Sequence, residues 1–221
     1  MRALLIVAVI LLGTGCRSNS VKSQPASASA SLDEKVKKFL DSHAGRWRDM
    51  NVPVSDGQAL YDIIVKNKYK SALEIGTSTG HSSIWIAWAL SKTGGKLITV
   101  EINEARHKEA LANFREAGVM DYIDARLADA HQLVPELKGP FDFVFSDADK
   151  DWYKNYFVAV DPNLKVGGCF TAHNVWESRG SSNAGLTGTA EFYSYIRNLP
   201  NYETTVISSG NGLSVSYKKS E

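Results

Sequence analysis

From residue 71 to residue 174, short apolar runs alternate with longer stretches of helical period, and this alternation limits the possible folds more than any other feature. SALEIG (71–76), KLITVEI (96–102), YIDARLAD (122–129), FDFVFSDA (141–148) and GGCFTAHN (167–174) read as strands. Helical patterns separate them: about Ser82 to Ser91, NEARHKEALANFREAG ended by Gly118, a short segment before Pro140, and DWYKNYFVAV. Upstream, Ser31 with Glu34 three positions later forms a capping box for a helix carrying Val36, Phe39 and Leu40. A second helix fits DGQALYDIIVKN, with Leu60, Ile63 and Ile64 inward. Downstream, a helix is predicted around Ala190–Asn198. The runs YETTVIS and GLSVSYKK, joined by SGNG, must then form an antiparallel pair. Such spacing predicts an α/β fold of right-handed βαβ units, a mostly parallel sheet with helices on both faces. Ligands of such sheets bind beyond the carboxyl ends of the strands.

A chain of 221 residues with 43% hydrophobic residues can build one sizeable core. Its formal net charge of +1 gives no support for a nucleic-acid partner, which normally demands a basic excess. Cys16 and Cys169 are the two cysteines, so neither a disulfide framework nor a thiolate zinc site can be argued; Cys169 reads as a small core residue.

The first sixteen residues, MRALLIVAVILLGTGC, carry one basic residue, an apolar run and small residues before Cys16. They resemble a bacterial lipoprotein signal, although Gly13 stands where that motif usually has leucine; an ordinary cleaved signal or short anchor is the alternative. The run is too short to span a bilayer, which needs roughly 20 residues. Lipidation at Cys16 places the protein on the bacterial cell envelope, and an unused signal leaves it cytoplasmic. Residues 17–31, RSNSVKSQPASASAS, read as a low-complexity tether, which leaves 32–221 as the folded domain.

The strand ends hold the chemistry. EIGTSTGHS places Gly76 and Gly80 at a strand-to-helix turn with GxxxG spacing, where backbone N–H groups can approach a ligand. Glu101, at the second strand end, can accept both hydroxyls of a ribose, or serve as a charge at a helix start. The third end is Asp129–Ala130. In FDFVFSDADKD an apolar strand ends abruptly in acids and a lysine, which suits a solvated turn or a bound cation.

SDGQAL (55–60), LEIGTSTGHS (73–82), VEIN (100–103), SDADKDWY (146–153) and VGGCFTAHNVW (166–176) together resemble the class I S-adenosylmethionine-dependent methyltransferases. More narrowly they resemble the cation-dependent O-methyltransferases of the catechol and caffeoyl-CoA type. The resemblance implies a Rossmann-like seven-stranded sheet with an antiparallel last strand. It implies that the backbone near Val52, with Glu74, Gly76, Thr77 and Ser82, holds the methionine end of S-adenosylmethionine. Glu101 would bind the ribose and Ala130 would lie beside the adenine. Asp147, His173 and Asn174 correspond to the ligands of a divalent metal cation, and Lys150 to the general base. A homodimer and a small hydroxylated aromatic acceptor, a vicinal diol, are further implications.

At positions 173–174 this chain departs from the pattern, because the family usually carries Asp-Asn there. His173 either ligates, favouring a transition metal over magnesium, or binds no metal at all. Asp149 and Asp151 read as helix-start charges. His43, His107 and His131 read as surface residues, and Trp85 and Trp88 as packing. His81 stands at a position that is commonly aromatic in the family. Trp152 and Trp176 flank the proposed metal site and either wall the acceptor or pack in the core. The glycine- and serine-rich loop 177–188 reads as a substrate lid. Two other readings compete: a nicotinamide-dependent oxidoreductase, disfavoured by GxxxG and the terminal hairpin, and a membrane-tethered binding protein that keeps the fold without the chemistry.

Overall fold

The structure, a computed structural model, describes residues 26–47, 49–177 and 188–221. The signal and lipidation site at Cys16, the tether through residue 25 and loop positions 178–187 lie outside the described residues. Among the described residues, no helix is long and apolar enough to cross a membrane.

The first helix, α1 (Ala26–Ser42), begins five residues before the predicted Ser31, so 26–31 belong to a helix rather than to the tether. The physical reason is cooperativity. Val36 and Phe39 are buried in the core and anchor the helix, and extending it backwards through alternating alanine costs little once it is nucleated. Next come α2 (Val54–Asn67), β1 (Ser71–Ile75), α3 (His81–Thr93), β2 (Lys96–Glu101) and α4 (Glu104–Ala117). They are followed by β3 (Ile123–Leu127), α5 (Ala130–Glu136), β4 (Phe141–Ser146), α6 (Tyr153–Val160), β5 (Leu164–His173), α7 (Gly188–Ile196), β6 (Tyr202–Ile207) and β7 (Leu213–Lys218). Helix α4 ends as its sequence requires, with Gly118 in the left-handed conformation at φ +78°.

All seven strands form one sheet in the order β3-β2-β1-β4-β5-β7-β6. β7 pairs antiparallel with both β5 and β6, so the last strand is the one reversed strand, as the terminal hairpin required. The order reverses between β1 and β4, whose parallel pairing runs from Ala72–Phe143 to Ile75–Ser146. This is the switch point where open sheets of this kind leave a crevice.

One buried cluster joins Val36, Leu60, Ile64, Trp85, Phe143 and Phe145; a second joins Leu73, Ile75, Val144, Phe157 and Phe170. Cys169, Trp85 and Trp88 are buried in the first, as their sequence context suggested. Phe141 does not share a cluster with Phe143 and Phe145, but packs with Val144. A register shift between Phe141 and Phe143 against β5 breaks the alternation there. The same irregularity lets β5 start at Leu164, three residues before its predicted beginning.

Candidate active site

The ends of β1 and β4 are locked together by backbone contacts. Asp147 donates its N–H to the Ile75 carbonyl at 2.8 Å, and Gly76 and Thr77 donate theirs to the Val100 carbonyl at 3.0 and 3.1 Å. Gly76 has φ +102°, and a Cβ there would lie 2.7 Å from the carbonyl oxygen of Asp147. Only glycine allows the two strand ends to come this close. Beyond them opens a cavity of 810 Å³. Gly76, Ser78, Ser82, Glu101, Ile102 and Ala130 line one end, and Asp147, Lys150, His173, Asn174 and Asn211 line the other.

In the first end, Glu101 is buried and lies at the tip of β2. Its Oε2 accepts from the Ser78 N–H at 2.7 Å and its Oε1 from the Asn103 N–H at 2.9 Å, so the carboxylate also shapes the glycine-bearing turn. Asp129 caps α5 by accepting from the His131 N–H at 2.9 Å, which sets Ala130 on the wall. A carboxylate, small residues and an exposed Ile102 at the rim suit a nucleoside with ribose hydroxyls and a flat base.

Three residues expected at the cofactor do not line this cavity; they support it from behind. Glu74 is fully buried, and its Oε2 accepts hydroxyl hydrogen bonds from Ser83 and from Thr99, the latter at 2.5 Å. Its Oε1 has no partner. Burial raises its carboxyl to about 7, more than the serine and threonine hydroxyls lower it. Thr77 is buried, with its Oγ1 2.5 Å from that of Thr99. The Val52 carbonyl is taken by His81 Nδ1 at 2.8 Å. His81 in turn receives the Trp85 indole N–H on Nε2 at 3.2 Å, and burial lowers its pKa to about 4. The ring is thus held as a neutral, hydrogen-bonded group.

At the other end, the side chains form a continuous chain of charges. Lys150 Nζ bonds Asp147 Oδ1, and also donates to the Tyr153 hydroxyl at 2.7 Å. That hydroxyl donates to the His173 carbonyl at 3.2 Å. The His173 ring stands between two carboxylates, with Nδ1 3.2 Å from Asp147 Oδ2 and Nε2 3.0 Å from Asp56 Oδ2. Burial disfavours the imidazolium, but hydrogen bonds to Asp147 and Asp56 outweigh it and raise His173 to about 9. Asp56 is lowered despite its burial, because His173 and the Asn211 N–H at 2.9 Å both stabilise its carboxylate.

Asp56 is the residue that sequence reasoning missed. It lies in the first turn of α2, inside the SDGQAL motif, and reads there as an ordinary helix-start acid. Its meeting with His173, 117 positions away, depends on how α2 packs against the end of β5.

Asp147, His173 and Asn174 stand on one wall of the cavity. Asp147 Oδ1 faces Lys150 Nζ, His173 Nε2 faces Asp56, His173 Nδ1 lies 3.2 Å from Asp147 Oδ2, and the Asn174 side-chain N–H donates to the Asn211 carbonyl at 3.4 Å. Among the described residues, no group of three or more His, Cys, Asp or Glu is arranged to hold a metal ion. Lys150 has a carboxylate and a phenol as its neighbours.

Other expectations resolve locally. Asp149 caps the turn Lys150–Trp152 by accepting from the Asp151 N–H at 3.1 Å. His131 is not a free surface residue: it lines the cavity and stacks on Trp152 with ring centroids 3.8 Å apart. Trp152, so stacked and packed against the second core cluster, supports the wall through His131.

Comparison with known proteins agrees with this geometry. The sequence matches the O-methyltransferase family over residues 22–219. It is 36% identical to caffeoyl-CoA O-methyltransferase 1 of Eucalyptus globulus over 127 residues, 55% of this chain and 51% of that protein. Against catechol O-methyltransferase of Niastella koreensis it is 37% identical over 130 residues, 57% of this chain and 58% of that protein. The chain thus spans about half the length of the curated relatives it matches. Among solved structures, the O-methyltransferase from Bacillus cereus in complex with SAH superposes with a TM-score of 0.70 at 26% identity, covering 90% of this chain and 94% of that one. The O-methyltransferase TomG from Streptomyces achromogenes, in complex with SAM, gives 0.73 at 25% identity, covering 88% and 95%. With its family match running across nearly the whole sheet and its cavity at the sheet's switch point, this chain belongs to the O-methyltransferase family.

Proposed function

We propose that this chain transfers a methyl group from S-adenosylmethionine to a hydroxyl of a small aromatic acceptor of the catechol type. The observation that carries the reading is a single cavity with a nucleoside-type end at Glu101 and a charged proton-handling end at Asp147 and Lys150. The SAH- and SAM-bound structural neighbours support the choice of cofactor. Gly76, Ser82, Glu101 and Ala130 would hold it. Bound S-adenosylmethionine supplies an electrophilic methyl group on a positively charged sulfur.

The chain's own residues prepare the nucleophile. Lys150 lies at the cavity wall, fixed by Asp147 and by the Tyr153 hydroxyl, so its Nζ meets an acceptor oxygen in a defined place. The hydroxyl proton passes to a carboxylate oxygen of Asp147, and the Lys150 ammonium stays beside the oxyanion that forms. The Gly76–Asp147 contact keeps the two halves in register, and orienting two reactants in this way contributes roughly 7–11 kcal/mol to lowering a bimolecular barrier. Methyl transfer from labelled S-adenosylmethionine to a panel of catechols and hydroxycinnamates tests the reading. Product methylated on oxygen is expected; absence of S-adenosylmethionine binding in calorimetry overturns it.

A further inference from the structure

We propose that the sheet edge opposite the cavity is a docking surface for an anionic phospholipid bilayer, and that the chain rests on it with the cavity mouth turned to water.

Lysines concentrate where the parallel strands begin. Lys66 and Lys68 lie at the end of α2, Lys70 precedes β1, Lys96 opens β2 and Lys165 lies at the start of β5. Lys219 joins them from the end of β7, because that strand is reversed. Hydrogen bonds tie these positions into one patch. The Lys96 N–H donates to the Lys70 carbonyl at 2.8 Å, the Lys70 N–H to Asp142 Oδ2 at 2.8 Å, and the Tyr69 hydroxyl to the Gly167 carbonyl at 2.6 Å. Lys66 and Lys219 line one groove of 300 Å³ with Asn67, Glu203, Thr205 and Tyr217.

All six lysines are exposed. The acids near them are already engaged. Asp142 pairs with Lys165 at 2.6 Å and Glu203 with Lys219 at 2.6 Å, while Asp161 and Glu221 hold the buried Lys218. Asp62, one turn before Lys66, accepts from the Gln58 amide at 2.9 Å. Among the described residues, Lys66, Lys68, Lys70 and Lys96 pair with no carboxylate, so four ammonium groups face water uncompensated. Val166 stands half exposed beside Lys165, an apolar contact within the patch. The cavity edge has the opposite sign, with Glu101, Asp129, Asp147 and Asp149 lining it against Arg106 and Lys150.

The chain also enters from the lysine edge. Helix α3 runs from His81 at the cavity edge to Thr93 at the opposite one, and α1 lies along it in the reverse sense. Near the start of α1, Asp33 accepts from the Trp88 indole N–H at 2.5 Å and pairs with Lys92. Past its end, Trp47 packs on His81 with ring centroids 4.6 Å apart. Ala26 lies seven residues before Asp33, which carries the helix about 10 Å further from the cavity along its axis. Cys16 precedes Ala26 by ten positions, with the apolar run of residues 3–12 before it. Ten residues span at most about 36 Å, so a membrane holding that segment lies within reach of the lysine edge. An anionic headgroup layer attracts each lysine brought near it, for roughly a fivefold gain in partitioning, over a range of about 8 Å at physiological ionic strength. A duplex nucleic acid is the other polyanion that lysines can take; the apolar segment arriving on the same side favours the bilayer.

The test uses the full chain, unacylated, and vesicles of phosphatidylcholine alone or mixed with phosphatidylglycerol. Co-sedimentation gives the ratio of anionic to neutral partitioning, from which insertion of residues 3–12 cancels. The ratio should stand well above one, fall toward one in high salt, and drop by roughly 10²–10³-fold in K66Q/K68Q/K70Q/K96Q. K108Q/K154Q, on helix starts at the cavity edge, should leave it unchanged. Acetylation of the wild type on anionic vesicles, read by mass spectrometry, should spare Lys66, Lys68, Lys70 and Lys96 while Lys108 and Lys154 react; this footprint decides the matter even if the quadruple variant misfolds. A ratio unchanged in a folded quadruple variant, or a footprint on Lys108 and Lys154 with the lysine edge left reactive, overturns the proposal. Protection of the lysine edge by duplex DNA and by neither vesicle overturns it too.

Discussion

Replacing Gly76 by alanine imposes two separable costs. The first is backbone strain, because φ +102° lies where a Cβ is disfavoured, at roughly 1–2 kcal/mol. The second is collision: the new Cβ would stand 2.7 Å from the Asp147 carbonyl oxygen and 2.9 Å from its carbon. These are backbone atoms held by the β1–β4 ladder, so they cannot swing aside as a flexible side chain would, and overpacking of this kind costs about 1–3 kcal/mol. The sum is about 2–5 kcal/mol, or roughly 4–20 °C in Tm at 2–4 °C per kcal/mol for a chain of this size. Gly94→Ala is the control. Gly94 has φ +73° and nothing within 4 Å of its would-be Cβ, so it carries the strain alone, at about 1–2 kcal/mol. Scanning calorimetry of both variants at one pH measures the difference, and methyl transfer should fall in G76A well beyond any loss in G94A. Equal Tm losses in the two variants would show that the closeness of Gly76 to the Asp147 peptide has no energetic weight.

Three further outcomes follow from the site. Lys150→Met should lower turnover by about 10²–10⁴-fold with unchanged S-adenosylmethionine affinity, read by single-turnover transfer and calorimetry; equal loss of both refutes its role beside the oxyanion. Glu101→Gln replaces one acceptor oxygen by an amide facing the Ser78 or Asn103 N–H, which at about 1.5–3 kcal/mol should weaken cofactor binding by roughly 10–150-fold. His173, raised from 6.5 to about 9, adds stability that is fully present below pH 6.5 and lost as pH rises through about 9. At about 1.4 kcal/mol per unit this is on the order of 3 kcal/mol, so the urea midpoint should fall between about pH 6.5 and 9 in the wild type but not in H173Q.

The strands and helices were legible because each carries its own period and its own punctuation, as with Gly118 closing α4. The strand-end acids were legible for the same reason: Glu101 and Asp147 each follow an apolar run directly, so their placement at the sheet edge is local information. Depth was not. Glu74 and Thr77 sit in the same motif as Gly76, yet which of them faces the cavity depends on Thr99 and Ser83 from neighbouring elements. The partnership of Asp56 with His173 is less legible still, because two residues of ordinary local meaning acquire their role only when a helix start meets a distant strand end. The break in β4 at Phe141 was not legible for a related reason, since it comes from its pairing with β5 and not from its own sequence.

The reversed strand β7 sits between β5 and β6, and this has a consequence for how the chain is made. Among the described residues, β6 hydrogen-bonds in the sheet to β7 alone, so that neighbour is translated after it. As the polypeptide emerges from a ribosome, Tyr202–Ile207 must wait without a ladder until Leu213–Lys218 has cleared the exit tunnel, and only then can the two insert together against β5. Nascent chains stalled before that point should therefore show a protease-sensitive segment at 202–207 while the β1–β4 centre is already protected.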